Sequence, residues 1–254
     1  MQEYPSALIG FTGFVGSNIL SQKNFSKLYN SKNIDEIRDK SFDLVVCAGA
    51  PGTKWLANKE PEKDRQTIES LINNLKTFKA KKFVLISTID VYSPVNGVNE
   101  DSPIHKELLT SYGKNRLFLE EFVEKNFDHA IIRLPTIFGK NLKKNVIFDL
   151  INKHNILIHP ESALQFYCLD NIYSDIEKVL KNNIKIINFA TEPVKLDLLA
   201  REIFYYNITN TALPLANYDM RSKYSKLWGK DSGYLYSKNE ILKELRQYVK
   251  NLNK

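Results

Sequence analysis

The stretch ALIGFTGFVGSNIL, residues 7–20, sets three glycines, Gly10, Gly13 and Gly16, between an apolar run and a helix-like pattern. Glycine is what such a turn needs. A side chain would obstruct the reversal of the chain, the approach of a pyrophosphate and the packing of helix on strand. The helix start that follows offers N–H groups and the positive end of a dipole to phosphate. A strand before and a helix after are the context a dinucleotide-binding segment requires. Gly10, Thr12, Gly13, Phe14, Val15 and Gly16 are therefore candidate cofactor contacts.

Working outward, apolar runs at residues 6–10, 25–29, 43–47, 83–87 and 130–133 read as buried strands. Helical patterns at 17–22, 62–77 and 112–125 lie between them. Strands alternating with helices predict an α/β fold, a doubly wound parallel sheet of the Rossmann kind with right-handed crossovers. A late strand-like run at 184–190 predicts that the chain leaves the sheet near Gly139 and returns once. The expected organisation is a dinucleotide-binding domain over 1–139 joined by that strand, with residues 140–183 and 191–254 forming a small C-terminal substrate-binding lobe.

Composition narrows the class. The chain has 254 residues, 43% hydrophobic and 26% charged, as in ordinary globular proteins. No apolar run approaches the roughly 20 residues of a membrane span, and the N-terminus shows no basic or hydrophobic leader region. The two cysteines and four histidines form no metal-type motif, so no protein-bound metal is expected. Cys47 sits in an apolar run, which argues against a structural disulfide and for a cytoplasmic setting. The net charge of +7 comes from scattered lysines rather than a basic run, so neither nucleic acid nor a membrane is an expected partner.

Cofactor choice should be written at the end of the second strand, where a carboxylate would bond the adenosine ribose and repel a 2′-phosphate. The chain has Asn30, Ser31 and Lys32 there. An amide, a hydroxyl and a cation favour NADP(H), with NAD(H) remaining open.

Three ordered segments resemble the extended short-chain dehydrogenase/reductases of the NAD-dependent epimerase/dehydratase family. They are the Gly-x-x-Gly-x-x-Gly spacing, ISTIDVYSP at 86–94, and SYGKNRLFLEEF at 111–122. The resemblance covers nearly the whole chain and is strongest over residues 6–139. It implies that Thr88 holds the substrate oxygen and that Tyr112, the tyrosine of a Tyr-x-x-x-Lys motif, moves the carbinol proton. Arg116 stands where the family carries lysine. Arginine keeps the charge that lowers the phenol pKa and could bond two ribose hydroxyls at once. Further cofactor contacts implied by the resemblance are Ala48, Gly49 and Ala50, Ile86 and Ser87, and Leu134, Pro135, Thr136 and Ile137.

The loop AGAPGTKWLANKEPEKD at 48–64 is similar to one in GDP-fucose synthase-like reductases, with the element Ala57-Asn58-x-x-Pro61. Those reductases place a cysteine where this chain has Asp90, and related dehydratases an acid pair where it has Ile89 and Asp90. Dehydration, which needs both carriers, is not expected; Asp90 is a candidate pocket residue. On the substrate side the resemblance suggests Lys144 and Asn145, with Lys140 and Lys143 nearby, for a nucleotide diphosphate. Gln165 and Tyr167, beside Phe166, are candidates for gripping the base. Neither His154 nor His159 matches a family position, and residues 205–236 receive no role.

The expected activity is reduction of a keto group on a nucleotide-linked sugar in polysaccharide precursor synthesis. The alternatives are an NAD-retaining nucleotide-sugar epimerase and a non-catalytic dinucleotide-binding protein. A homodimer through the tyrosine-bearing helix and the helix before it is compatible with the sequence.

Overall fold

A computed structural model describes residues 5–252. In chain order its elements are β1 (Ser6–Ile9), α1 (Phe14–Leu20), β2 (Lys27–Tyr29), β3 (Ser41–Cys47), α2 (Lys54–Lys59), α3 (Pro61–Leu75), β4 (Lys79–Thr88), β5 (Asn96–Val98) and α4 (Ser111–Asn126). Then follow β6 (His129–Leu134), β7 (Thr136–Phe138), α5 (Val146–Ile151), β8 (Ala163–Leu164), β9 (Phe166–Cys168), α6 (Ile172–Lys181), β10 (Ile186–Asn188), β11 (Val194–Lys195), α7 (Leu196–Phe204), β12 (Asp219–Met220) and α8 (Lys238–Leu252).

Six strands form the central parallel sheet in the order β10-β6-β4-β3-β1-β2. The order reverses at β1, which pairs β2 on one side and β3 on the other. Ile9 lies opposite both Tyr29 and Cys47, and Cys47 opposite Leu85, so these strands finish at a common edge. In open α/β sheets that carboxyl edge, at the reversal point, is where ligands bind. Ala7, Val45, Cys47, Phe83 and Leu85 pack against Ile68, Ile72 and Leu75 of α3, an apolar stripe at helical spacing.

The chain divides into two compact units. The first holds residues up to Pro94, Pro103–Arg133 and Asp170–Ile187; the second holds Val95–Ser102, Leu134–Leu169 and the chain from Asn188. This differs from the division read in the sequence. Residues 95–102 join the second unit because β5 pairs β12, more than a hundred residues later. Leu134–Gly139 also belongs there, since β7 pairs β9, while α6 belongs with the sheet. Around Phe138, Ile147, Leu150, Phe166, Leu199 and Leu245 the second unit has its own apolar core. Among the described residues no helix is long and apolar enough to cross a membrane.

Candidate active site

At the end of β1 the chain turns through Gly10 with φ +84°. A Cβ there would lie 2.4 Å from the Ala48 carbonyl oxygen and 2.8 Å from the Gly49 nitrogen, so the turn can pass this close to β3 only as glycine. A Cβ on Gly16 would stand 2.1 Å from the Gly10 oxygen, which seats α1 directly on the turn. α1 begins at Phe14, three residues before the expected Ser17, and Gly13 caps it. The amides of Phe14, Val15 and Gly16 occupy its first turn and have no intrahelical acceptor. A backbone cradle of this kind, with donors and no side chains to fill it, fits a dinucleotide pyrophosphate.

Past β2, the Asn30 side chain accepts from the Lys32 amide at 2.9 Å, and the Asn33 side chain accepts from the Asn30 amide at 2.8 Å. The turn closes on itself and leaves Ser31 and Lys32 exposed, with no carboxylate before Asp35. Ala48, Gly49 and Ala50 follow the end of β3, with the Ala48 amide donating to Ile9 at 2.9 Å. Burial pushes the neighbouring Cys47 thiol up to about 11. Ile86 is buried in β4. Ser87 turns inward and donates to Glu120 at 2.5 Å, in a buried cluster where Glu120 also pairs Arg133, which donates to Tyr92 at 2.6 Å.

The structure brings Thr88 and Tyr112 together. α4 approaches the turn after β4 because Gly113 lacks a side chain: a Cβ there would sit 2.2 Å from the Asp90 carbonyl oxygen. The Asn58 side chain accepts from the Tyr112 amide at 2.9 Å, so the Ala-Asn-x-x-Pro element positions the tyrosine-bearing turn. Tyr112 is 8% exposed, and the Thr88 hydroxyl interacts with its phenol. Thr88 Oγ1 in turn donates to Asp90 Oδ2 at 3.1 Å and accepts from the Asp90 amide at 3.2 Å. The other Asp90 oxygen accepts from Lys54 Nζ at 2.5 Å.

Arg116 departs from the expected ribose contact. Its guanidinium lies 4.3 Å from the centroid of the Tyr112 ring, close enough for its charge to act on the phenol. Both terminal nitrogens, however, donate to Asp64 at 2.9 Å, and one also donates to the Pro51 carbonyl. Only Nε has no hydrogen-bond partner among the described residues. Asn115 supports the same carboxylate at 2.8 Å. The fork foreseen for two ribose hydroxyls is thus occupied within the protein. Burial is the largest influence on Tyr112 and raises its pKa; Arg116 pulls it down, Asp90 pushes it up, and the phenol ends above its ordinary value.

The remaining candidates lie in the second unit. Leu134 and Pro135 lead into β7, where Thr136 and Ile137 pair Phe166 and Tyr167 of β9. Asn145, with φ +102°, caps α5 by accepting from Ile147 and Phe148 and donates to the Ile137 carbonyl at 2.8 Å, so its amide is spent locally. Gln165 is buried and donates to the Met220 carbonyl at 2.7 Å while accepting from the Met220 amide at 2.8 Å; it also donates to Thr191. Tyr167 is fully buried against Phe189 and Tyr236. Both side chains are buried and engaged inside the second unit, which corrects the expectation that they grip a base. Lys140, Lys143 and Lys144 are exposed.

The sequence reading missed Lys54 and Asp64. A carboxylate two residues after Thr88 and a buried guanidinium each call for an opposite charge, but neither partner is near in sequence.

A family model described as the NAD dependent epimerase/dehydratase family matches residues 7–158. No curated protein sequence matches the chain. Its fold is similar to a UDP-N-acetylglucosamine 4-epimerase from Methanobrevibacter ruminantium M1, solved with UDP-N-acetylmuramic acid, at TM-score 0.73 and 16% identity, covering 100% of this chain and 99% of that one. It is also similar to a dTDP-4-dehydrorhamnose reductase from Clostridium acetobutylicum at TM-score 0.72 and 13% identity, covering 98% and 99%. RMD from Pseudomonas aeruginosa, complexed with NADPH, gives TM-score 0.68 and 17% identity over 98% and 100%. The family match spans more than half of the chain and takes in both the glycine turn and α4, so the chain belongs to the NAD dependent epimerase/dehydratase family.

Proposed function

We propose that the protein is an NADP(H)-dependent reductase of a keto group on a nucleotide-linked sugar. The observation that carries this reading is the buried Tyr112 phenol, paired with Thr88 in the unit that bears the glycine turn and held above its ordinary pKa by burial. A phenol so held is protonated at neutral pH and acts as a donor, which is what a carbonyl oxygen gaining negative charge requires. Thr88 orients that oxygen, and Tyr112 delivers its proton to it. A bound reduced nicotinamide supplies the hydride. Gly10, Gly13 and the first turn of α1 would hold its pyrophosphate, and Asn30, Ser31 and Lys32 favour a 2′-phosphate over a bare ribose. For the sugar nucleotide the second unit offers Lys144, with Lys140 and Lys143. Cys47 and Cys168 are buried and not joined in a disulfide, which is compatible with a reducing cytoplasm.

The test is nicotinamide oxidation with a panel of keto-sugars linked to dTDP, GDP and UDP. NADPH should be consumed stoichiometrically and faster than NADH. Tyr112→Phe should lower kcat/KM at least ~100-fold while leaving NADPH binding intact. Release of one tightly held NAD per chain on denaturation would favour the epimerase instead. Wild-type rates in Tyr112→Phe would overturn the catalytic assignment.

A further inference from the structure

A buried phenol that gives up its proton must recover one before the next turnover, and Tyr112 has little direct access to water. The charged groups acting on it are Arg116 on its own helix, which is paired with Asp64 on α3, and Asp90 after β4, which is paired with Lys54 on α2. Arg116 steadies a phenolate but cannot return a proton, since guanidinium does not dissociate in proteins. Asp64 is held as a carboxylate by Arg116 and Asn115. The remaining side runs through Thr88, whose hydroxyl interacts with the phenol and is bonded at 3.1 Å to Asp90. Asp90 meets Lys54 at 2.5 Å, and the Lys54 side chain is 43% exposed against 19% for Asp90. Thr88, Asp90 and Lys54 therefore form a bonded series that leads from beside the buried phenol to an ammonium in contact with solvent.

Building on the donor role given to Tyr112 above, we propose that Thr88, Asp90 and Lys54 form a relay that returns a proton from solvent to Tyr112 after each reduction. Once Tyr112 has protonated the substrate oxygen, the Thr88 hydroxyl swings its proton from Asp90 to the phenolate. Asp90 passes a proton to the Thr88 oxygen as it receives one from Lys54, and the neutral Lys54 amine takes a proton from water or buffer. The net transfer is one proton from solvent to Tyr112, with every relay group restored. Phenol and ammonium have ordinary pKa values near 10 and 10.4, so the exchange is close to level. Burial of the phenol tilts it toward the phenolate as acceptor.

Lys54→Arg separates relay from architecture, because arginine keeps the cation beside Asp90 but cannot release a proton. The first measurement needs neither substrate nor cofactor: exchange of the Tyr112 hydroxyl proton with water, read by the deuterium shift on labelled tyrosine Cζ and assigned with Tyr112→Phe. Lys54→Arg and Asp90→Asn should each slow it at least about tenfold, with melting temperatures kept. In turnover, Lys54→Arg should complete its first reduction at the wild-type rate and then slow, and a small primary amine in the buffer should restore the steady rate. Unchanged proton exchange in both variants overturns the relay, whatever the enzyme reduces. If no keto-sugar is reduced but exchange slows, the relay stands and the reductase assignment falls.

Discussion

A buried guanidinium needs a counter-charge, and Arg116 finds it 52 residues earlier in the chain, in Asp64. The pair is nearly inaccessible, with side chains 3% and 6% exposed, so removing one partner strands a charge without water. Asp64→Asn should therefore cost about 3–5 kcal/mol in urea unfolding, whereas replacing both residues by Asn and Met should recover most of the loss. The pH dependence has a definite sign. Burial alone would raise the Asp64 carboxyl, but hydrogen bonds from Arg116 and Asn115 outweigh it and hold the group below its ordinary value. A depressed carboxylate contributes stability that is present above the unfolded pKa of about 3.9 and is lost as pH falls through the folded one. Acid unfolding should accordingly be less steep below about pH 4 in the double variant than in the wild type. At this scale the sequence was half legible. Thr88, Tyr112 and the glycines carry motif spacing, but the Lys54–Asp90 and Asp64–Arg116 pairs join residues 36 and 52 positions apart, and no local pattern encodes such meetings.

Between elements, α4 comes within van der Waals contact of the turn after β4, and Gly113 permits it. Gly113→Ala would drive a methyl into the Asp90 carbonyl, so α4 must shift and carry Tyr112 away from Thr88. A displacement of about 1 Å is enough to lower kcat by on the order of 100-fold. Binding of NADPH, followed by its fluorescence, should change little, since the glycine turn lies on other elements. In the second unit, Ser237 and Glu240 bond reciprocally, through the Ser237 amide to Glu240 at 2.7 Å and the Glu240 amide to Ser237 at 3.4 Å. They form a capping box at the start of α8, and Ser237→Ala should lower stability by about 1 kcal/mol in thermal unfolding. Most strands and the long helices were readable from apolar periodicity. Boundaries were less so: β4 begins at Lys79, four residues before the expected Phe83, because Lys79, Ala80 and Lys82 are held by backbone pairing to β3 rather than by burial of an apolar run.

For the molecule as a whole, pairing of two copies through α3 and α4 would have to desolvate a polar face. Glu62, Lys63, Gln66, Glu69 and Asn73 are exposed on α3, and Arg65 lies over the Phe118 ring at 3.3 Å while bonding Glu69. A stable interface buries about 800 Å² per partner around an apolar centre. Sedimentation velocity at micromolar concentration should thus find a monomer; a dimer broken by Phe118→Lys would refute this. The division into units was the least legible feature, because it depends on strand pairs between distant segments, β5 with β12 and β7 with β9.

That pairing also limits how such a protein can be modified. The chain crosses from one unit to the other after Pro94, Ser102, Arg133, Leu169 and Ile187. Neither half is a continuous segment, so neither can be exchanged as a cassette, and new specificity must arise by substitution in place.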